Sequence, residues 1–102
     1  MDDGQALISP EVLARYAADA ASEVEGVHRV ITGHLRRQPG VRVRVGEDGV
    51  HVQVPVVLEY GMPITPVARE VQRRVRRYLK VMADVDPAAV EIVVAQVEPG
   101  KE

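Results

Sequence analysis

The sequence predicts an α+β fold, a two-layer sandwich with two helices on one face of a three- to four-stranded, mainly antiparallel sheet, in the order α-β-β-β-α-β. Three observations carry this. Two segments repeat their apolar residues with helical period, and the 21 valines concentrate where apolar and polar residues alternate as in strands. Two helices are also too few to cover both faces of such a sheet while burying their own apolar stripes. One domain is expected over residues 1–102, with its core at about 6–98 and short disordered ends. A chain of this length can bury about 65% of its unfolded surface, enough for one core without staples.

The first helix is expected to start at Pro10. Ser9 can cap it, Pro10 suits the first helical position, Glu11 meets the positive helix end, and Ile8 can staple onto Leu13. Val12, Leu13, Tyr16, Ala17, Ala20 and Val24 share one arc, and Gly26 followed by Val27 places the stop near Glu25. Val27 to Ile31 is a short strand. Thr32 to Gly40 is a polar, basic connection without regular structure.

Val41, Val43 and Val45 alternate with Arg42 and Arg44. After Gly46-Glu47-Asp48-Gly49 the alternation resumes from Val50 to Leu58, which predicts a hairpin with one buried valine face. Pro55 cannot donate a ladder hydrogen bond, so its strand should have a free edge or a bulge there. Tyr60-Gly61-Met62-Pro63 ends the strand, and Thr65-Pro66 repeats the cap-then-proline start of the first helix. The second helix, about Pro66 to Met82, puts Val67, Val71, Val75, Tyr78, Leu79 and Met82 within an arc of about 120°. Val90 to Val97 is a final strand with both faces partly apolar, and Pro99 to Glu102 is a tail. The sheet face away from the helices would carry Arg42, Arg44, His51, Gln53 and Glu59 among Val57 and Val93, either solvated or used for association.

Composition excludes several chemistries. With no Cys there is neither a disulfide nor a thiolate metal site, and His28, His34 and His51 lack ligand spacing, so no metal and no cofactor are expected. Ser9, Ser22, Thr32 and Thr65 are the only hydroxyl candidates besides tyrosine, and two of them are better explained as helix caps. Paired carboxylates fall in turns, and Gly46 to Gly49 joins two strands rather than a strand and a helix, unlike a phosphate cradle. Catalytic residues are therefore none, and the chain is not expected to be an enzyme. The longest apolar run, Val54 to Leu58, is far short of the ~20 residues of a spanning helix, and Met-Asp-Asp-Gly is unlike a signal peptide. A cytoplasmic, soluble chain is expected.

Net charge is −2, yet it is unevenly spread. Pro66 to Met82 holds six basic residues and one acid, a sum of +5, so the remainder carries −7. Arg69, Arg73, Arg76 and Lys80 cluster opposite the apolar arc, and Arg77 flanks them. Such a face can simply be solvated. It can also meet an anionic membrane surface, nucleic acid, or the acidic face of a protein or of another copy. Nucleic acid is the weakest of these, because the stripe has no interleaved aromatic for base stacking and no Gly-rich binding loop accompanies it. A small-molecule cleft beside Tyr60 and His51 has only those two polar aromatics in its favour, and no substrate is identified.

Ile8-Ser9-Pro10-Glu11-Val12-Leu13, Ala17-Ala18, Val24-Glu25-Gly26-Val27, the alternating valines from Val43, Glu59-Tyr60-Gly61, Pro63-Ile64, Val67-Ala68, Val71-Gln72 and Val90-Glu91-Ile92-Val93-Val94 together resemble the bacterial alkaline shock protein family, also called the envelope stress response family. The Glu59-Tyr60-Gly61 turn feeding the second helix is the most specific part. The resemblance implies a small α+β domain without known enzymatic activity, associated with the cell envelope and with alkaline or general stress. It also implies self-association in some members and, in others, an anchor partner at the inner face of the membrane. The family has no established catalytic residues to carry over. The chain is close to the minimal domain, without the long tails of some members, which counts against filaments and against a particular anchor. The expected function is a non-enzymatic interaction module working through protein–protein contacts, with the inner membrane surface as one place of action. The alternative is nonspecific nucleic-acid binding by the second helix.

Overall fold

A computed structural model describes residues 8–33 and 39–99; the expected ends, His34 and the middle of the basic connection lie outside them. The described elements are α1 (Pro10–Ser22), β1 (Val27–Val30), β2 (Arg42–Gly46), β3 (Gly49–Glu59), α2 (Ile64–Ala83) and β4 (Ala89–Glu98), the order read from the sequence.

Helix α1 starts as its sequence dictates. Ser9 is the N-cap, its hydroxyl accepting from the Val12 N–H at 3.2 Å, and proline occupies the first turn. It stops at Ser22, earlier than expected, with Glu23 as the C-cap. Gly26 instead belongs to the turn that launches β1, in which the Val27 N–H donates to the Val24 carbonyl at 3.1 Å. Two demands hold a glycine there. Its φ is +98°, and a Cβ would stand 2.9 Å from Val67 Cγ2.

Helix α2 begins at Ile64 behind Pro63, which supplies no side-chain cap, so Thr65 does not cap it. Pro66 is tolerated anywhere in a first turn whose N–H groups have no intrahelical partner, so its position does not fix the start. Asp84, in the left-handed conformation at φ 54°, closes the helix.

Strand β3 is the centre of the sheet. One edge pairs parallel with β4 from His51–Ala89 to Glu59–Glu98. The other edge is divided antiparallel between β2, from Gly46–Gly49 to Arg42–Gln53, and β1, at Val30–Val56 and Val27–Leu58. Pro55 falls between the pairing of β3 with β2, which ends at Arg42–Gln53, and with β1, which starts at Val30–Val56. The edge is not free there: the Pro55 carbonyl accepts from the Ile31 N–H at 3.0 Å, and only the missing proline N–H is absent from the ladder. The β3–β4 register shifts close by, between Val56 and Val57. Two of the three pairings are antiparallel, as expected. The longest is parallel because α2 carries the chain back across the sheet between β3 and β4.

Both helices lie on one face. Val52, Val54, Val56 and Leu58 of β3 and Val90 of β4 meet Leu13, Ala17, Ala20 and Ala21 of α1 and Val67, Val71, Val75 and Leu79 of α2. Each fully buried valine or leucine contributes about 1.5–3 kcal/mol. The face away from the helices carries Arg42, Arg44, His51, Gln53, Pro55 and Val57 by the period of two. Val57 there is fully buried although it lies outside the helix-covered core.

Candidate interaction surface

The apolar arc of α2 faces the sheet, so the opposite arc faces solvent. Arg69, Arg73, Arg77 and Lys80 are exposed there, and Arg76 is half-buried. The structure thus brings the five sequence-predicted residues to one side of one helix but gives them different surroundings. Arg73 and Arg74 share the Glu70 carboxylate, Arg74 Nε standing 3.0 Å from Glu70 Oε2. Lys80 Nζ lies 3.0 Å from Asp84 Oδ1 at the helix end, and that carboxylate raises the lysine above its ordinary value of 10.5. Arg76 donates to the Pro87 carbonyl at 2.7 Å and so ties the helix to the segment entering β4; Gln72 does the same to the Val90 carbonyl at 2.7 Å. Arg69 and Arg77 have no ion-pair partner among the described residues. Distance along the sequence could not have separated Arg76 from its neighbours, because its partner is a loop carbonyl eleven positions on.

Arg74, not singled out by the sequence pattern, joins Arg77 beside an open depression of about 460 Å³ between the helices, with Ala20, Glu23, Tyr78 and Val81. Tyr78 packs edge to face against Tyr16, ring centroids 5.8 Å apart at 79°. The aromatic nearest the cations is therefore engaged between the helices, where it offers no platform for a base.

In the Glu59-Tyr60-Gly61 turn the backbone does the structural work. The Tyr60 N–H donates to the Glu98 carbonyl at 2.7 Å, and the Met62 N–H to the Glu59 carbonyl at 3.2 Å. Gly61 sits at φ +95° with nothing within 4 Å of where a Cβ would be, so conformation rather than space demands it. The Tyr60 ring is 78% exposed and packs into no core. His51 lies at the other end of β3, nine residues and ~30 Å away, so no cleft joins the two. The His51 ring instead meets Asp48 at 2.9 Å and holds that carboxyl below its ordinary 3.8. His28 faces Glu98 at 3.5 Å. Among the described residues no group of three or more His, Asp or Glu is placed to hold a metal, and no helix is long and apolar enough to cross a membrane.

A family model described by a cell envelope-related function matches residues 1–99. The chain belongs to the alkaline shock protein family. Two relatives are similar at the sequence level. YqhY of Bacillus subtilis is 31% identical over 105 positions, spanning 93% of this chain and 78% of its own length. Spy1535 of Streptococcus pyogenes is 32% identical over 97 positions, spanning 87% and 75%. Among solved structures, a MamM CTD variant aligns at TM-score 0.58 with 15% identity, covering 86% of this chain and 98% of that one. A second variant gives 0.56 at 15%, covering 84% and 93%. At that identity the likeness shows the fold alone. The family resemblance carried by the helix starts, the valine alternation and the Glu59-Tyr60-Gly61 turn is thereby established, and with it the cell-envelope relation of the family.

Proposed function

We propose that this chain is a non-enzymatic, envelope-associated interaction module of the cytoplasm, which engages an acidic protein partner near the inner membrane surface through the outward face of α2. The observation that carries the reading is the one-sided charge of that helix, +5 over Pro66 to Met82 on a chain of −2, with Arg69 and Arg77 exposed and unpaired among the described residues. A helix face needed only for solubility works as well with both signs interspersed, and α1 shows that mixture with Glu11, Arg15 and Asp19. Concentrated charge of one sign steers association with an oppositely charged surface and selects against like-charged partners.

The test is affinity purification from the native host with Arg69, Arg73 and Arg77 changed to Glu, sparing Arg76 because it holds Pro87. The triple variant should keep the native circular dichroism spectrum and lose its co-purifying proteins. Unchanged recovery of the same partners by a folded variant removes the reading.

A further inference from the structure

On the sheet face turned away from the helices, at the end where β2 and β3 join, lies an open depression of about 540 Å³. Arg42 and Arg44 of β2, His51 and Gln53 of β3, and Ala89 and Glu91 of β4 line it. The strand register explains why these six residues meet. Arg44 stands opposite His51, which stands beside Ala89; Arg42 stands opposite Gln53, which stands beside Glu91. Residues that pair across strands share a face, so the six form two rows of three. Ala89, with only a methyl group, leaves its end of one row low.

The charges here are unequally engaged. Both nearby carboxylates have partners: Glu91 accepts from the Gln53 amide at 3.1 Å, and Asp48 of the hairpin turn meets the His51 ring at 2.9 Å. His51 is the main cause of the lowered Asp48 carboxyl, and the charge of Arg44 the least. Arg42 and Arg44 are exposed and make no ion pair among the described residues. His51 spends Nε2 on Asp48, which leaves Nδ1 as its remaining nitrogen for hydrogen bonding. Two guanidinium groups without carboxylate partners thus project from positions about 7 Å apart along one strand, with an imidazole across from one of them.

We propose that this depression is a binding site for a phosphate monoester. Two guanidinium forks offer more N–H groups than a carboxylate or a phosphodiester, each with two free oxygens and a single charge, can accept. The three terminal oxygens and nearly two charges of a monoester match them. His51 adds a third donor when its ring is protonated, and Asp48 holds the ring in place. Glu91 stands two strand spacings from β2, about 10 Å away, and opposes a second anionic group there. The body of the ligand toward β4 is therefore neutral or cationic and offers a hydroxyl or an amine to that carboxylate. Paired strands rather than loops carry all six lining residues, so the site is largely formed before the ligand arrives. It shares no residue with the outward face of α2.

Titration of the full chain with glycerol 3-phosphate, followed by amide NMR, tests this. The amides of Arg42, Arg44 and His51 should shift saturably, with half-saturation below about 10 mM. Dimethyl phosphate, a diester with one charge, should bind at least about tenfold more weakly. Arg42→Gln/Arg44→Gln should weaken binding about 100-fold with the rest of the amide spectrum unchanged, and Arg44→Lys, which keeps the charge and loses the fork, about tenfold. Arg69→Gln/Arg77→Gln on α2 should bind like the wild type, which separates this site from the surface proposed above. A second arm finds the source of the phosphate, using phosphatidylcholine vesicles with and without phosphatidic acid, whose headgroup is also a monoester. Retention on phosphatidic acid that Arg42→Gln/Arg44→Gln abolishes assigns the ligand to a lipid; binding of glycerol 3-phosphate without such retention assigns it to a soluble molecule. Half-saturation above about 10 mM overturns the proposal. So does equal binding of the diester, undiminished binding by the folded double variant, or loss of binding on changing α2.

Discussion

Helix α1 and helix α2 cover the same sheet face, but α1 reaches it with one leucine, Leu13, and three alanines, and α2 with three valines and a leucine. Ala17, Ala20 and Ala21 let α1 sit close over the sheet, and its outward face mixes both charge signs. The longer α2 buries Val67, Val71, Val75 and Leu79 and turns a nearly uniform basic face outward. Its start has no side-chain cap, whereas α1 has Ser9. The difference teaches that the outward charge of α2 is not needed for helix formation as such. Burial of its apolar stripe holds the helix, leaving most of the arginines available.

That comparison can be broken at several points. Leu79→Ala should cost about 2–5 kcal/mol in chemical denaturation, since the side chain is fully buried and a cavity would remain. A loss well below that range would mean that α2 depends on its core stripe no more than α1 does. Gly26→Ala should cost about 1–3 kcal/mol, through its positive φ and the Cβ clash with Val67 where the two helices come together. Replacing the cap of α1, Ser9→Ala should cost about 1 kcal/mol, while Thr65→Ala near the start of α2 should stay within about 0.5 kcal/mol; equal losses would erase the distinction between the two starts. Arg76→Ala should lower stability by about 1 kcal/mol through its hydrogen bond to Pro87, against less than about 0.5 kcal/mol for Arg69→Ala. The smallest effect concerns pH. Because Asp84 raises Lys80 above 10.5, the stabilisation from that pair is complete below 10.5 and fades as pH rises through the raised value. The small melting-temperature gap between wild type and Lys80→Met should therefore close in strongly alkaline buffer.

Much of this molecule was legible in its sequence, and the exceptions have a common cause. The capped start of α1, the valine hairpin, the break at Tyr60-Gly61 and the amphipathic α2 depend on neighbours a few positions apart, which periodicity and turn chemistry report directly. The start of α2 was misplaced by two residues because Pro66 suits more than one position of a first turn. Pro55 calls for a free edge or a bulge, and the structure puts it instead at the junction where β2 and β1 succeed each other along one edge of β3, with the Ile31 N–H bonded to its carbonyl and a register shift one residue on against β4. Strand order of that kind is not readable from local pattern. The basic face was legible as a pattern. The anchoring of Arg76 to Pro87 and the sharing of Glu70 by Arg73 and Arg74 depend on side-chain reach. A single sequence specifies those only through the completed fold.

The central place of β3 also governs how the sheet comes apart. β1 and β2 share one of its edges without overlapping, so either can open while the other stays paired. β4 holds the opposite edge along nearly the whole strand. Amide protons of β1 and of β2 should thus exchange with solvent in two separate local events of low free energy. Those of β3 that bond to β4 should wait for the whole chain to unfold.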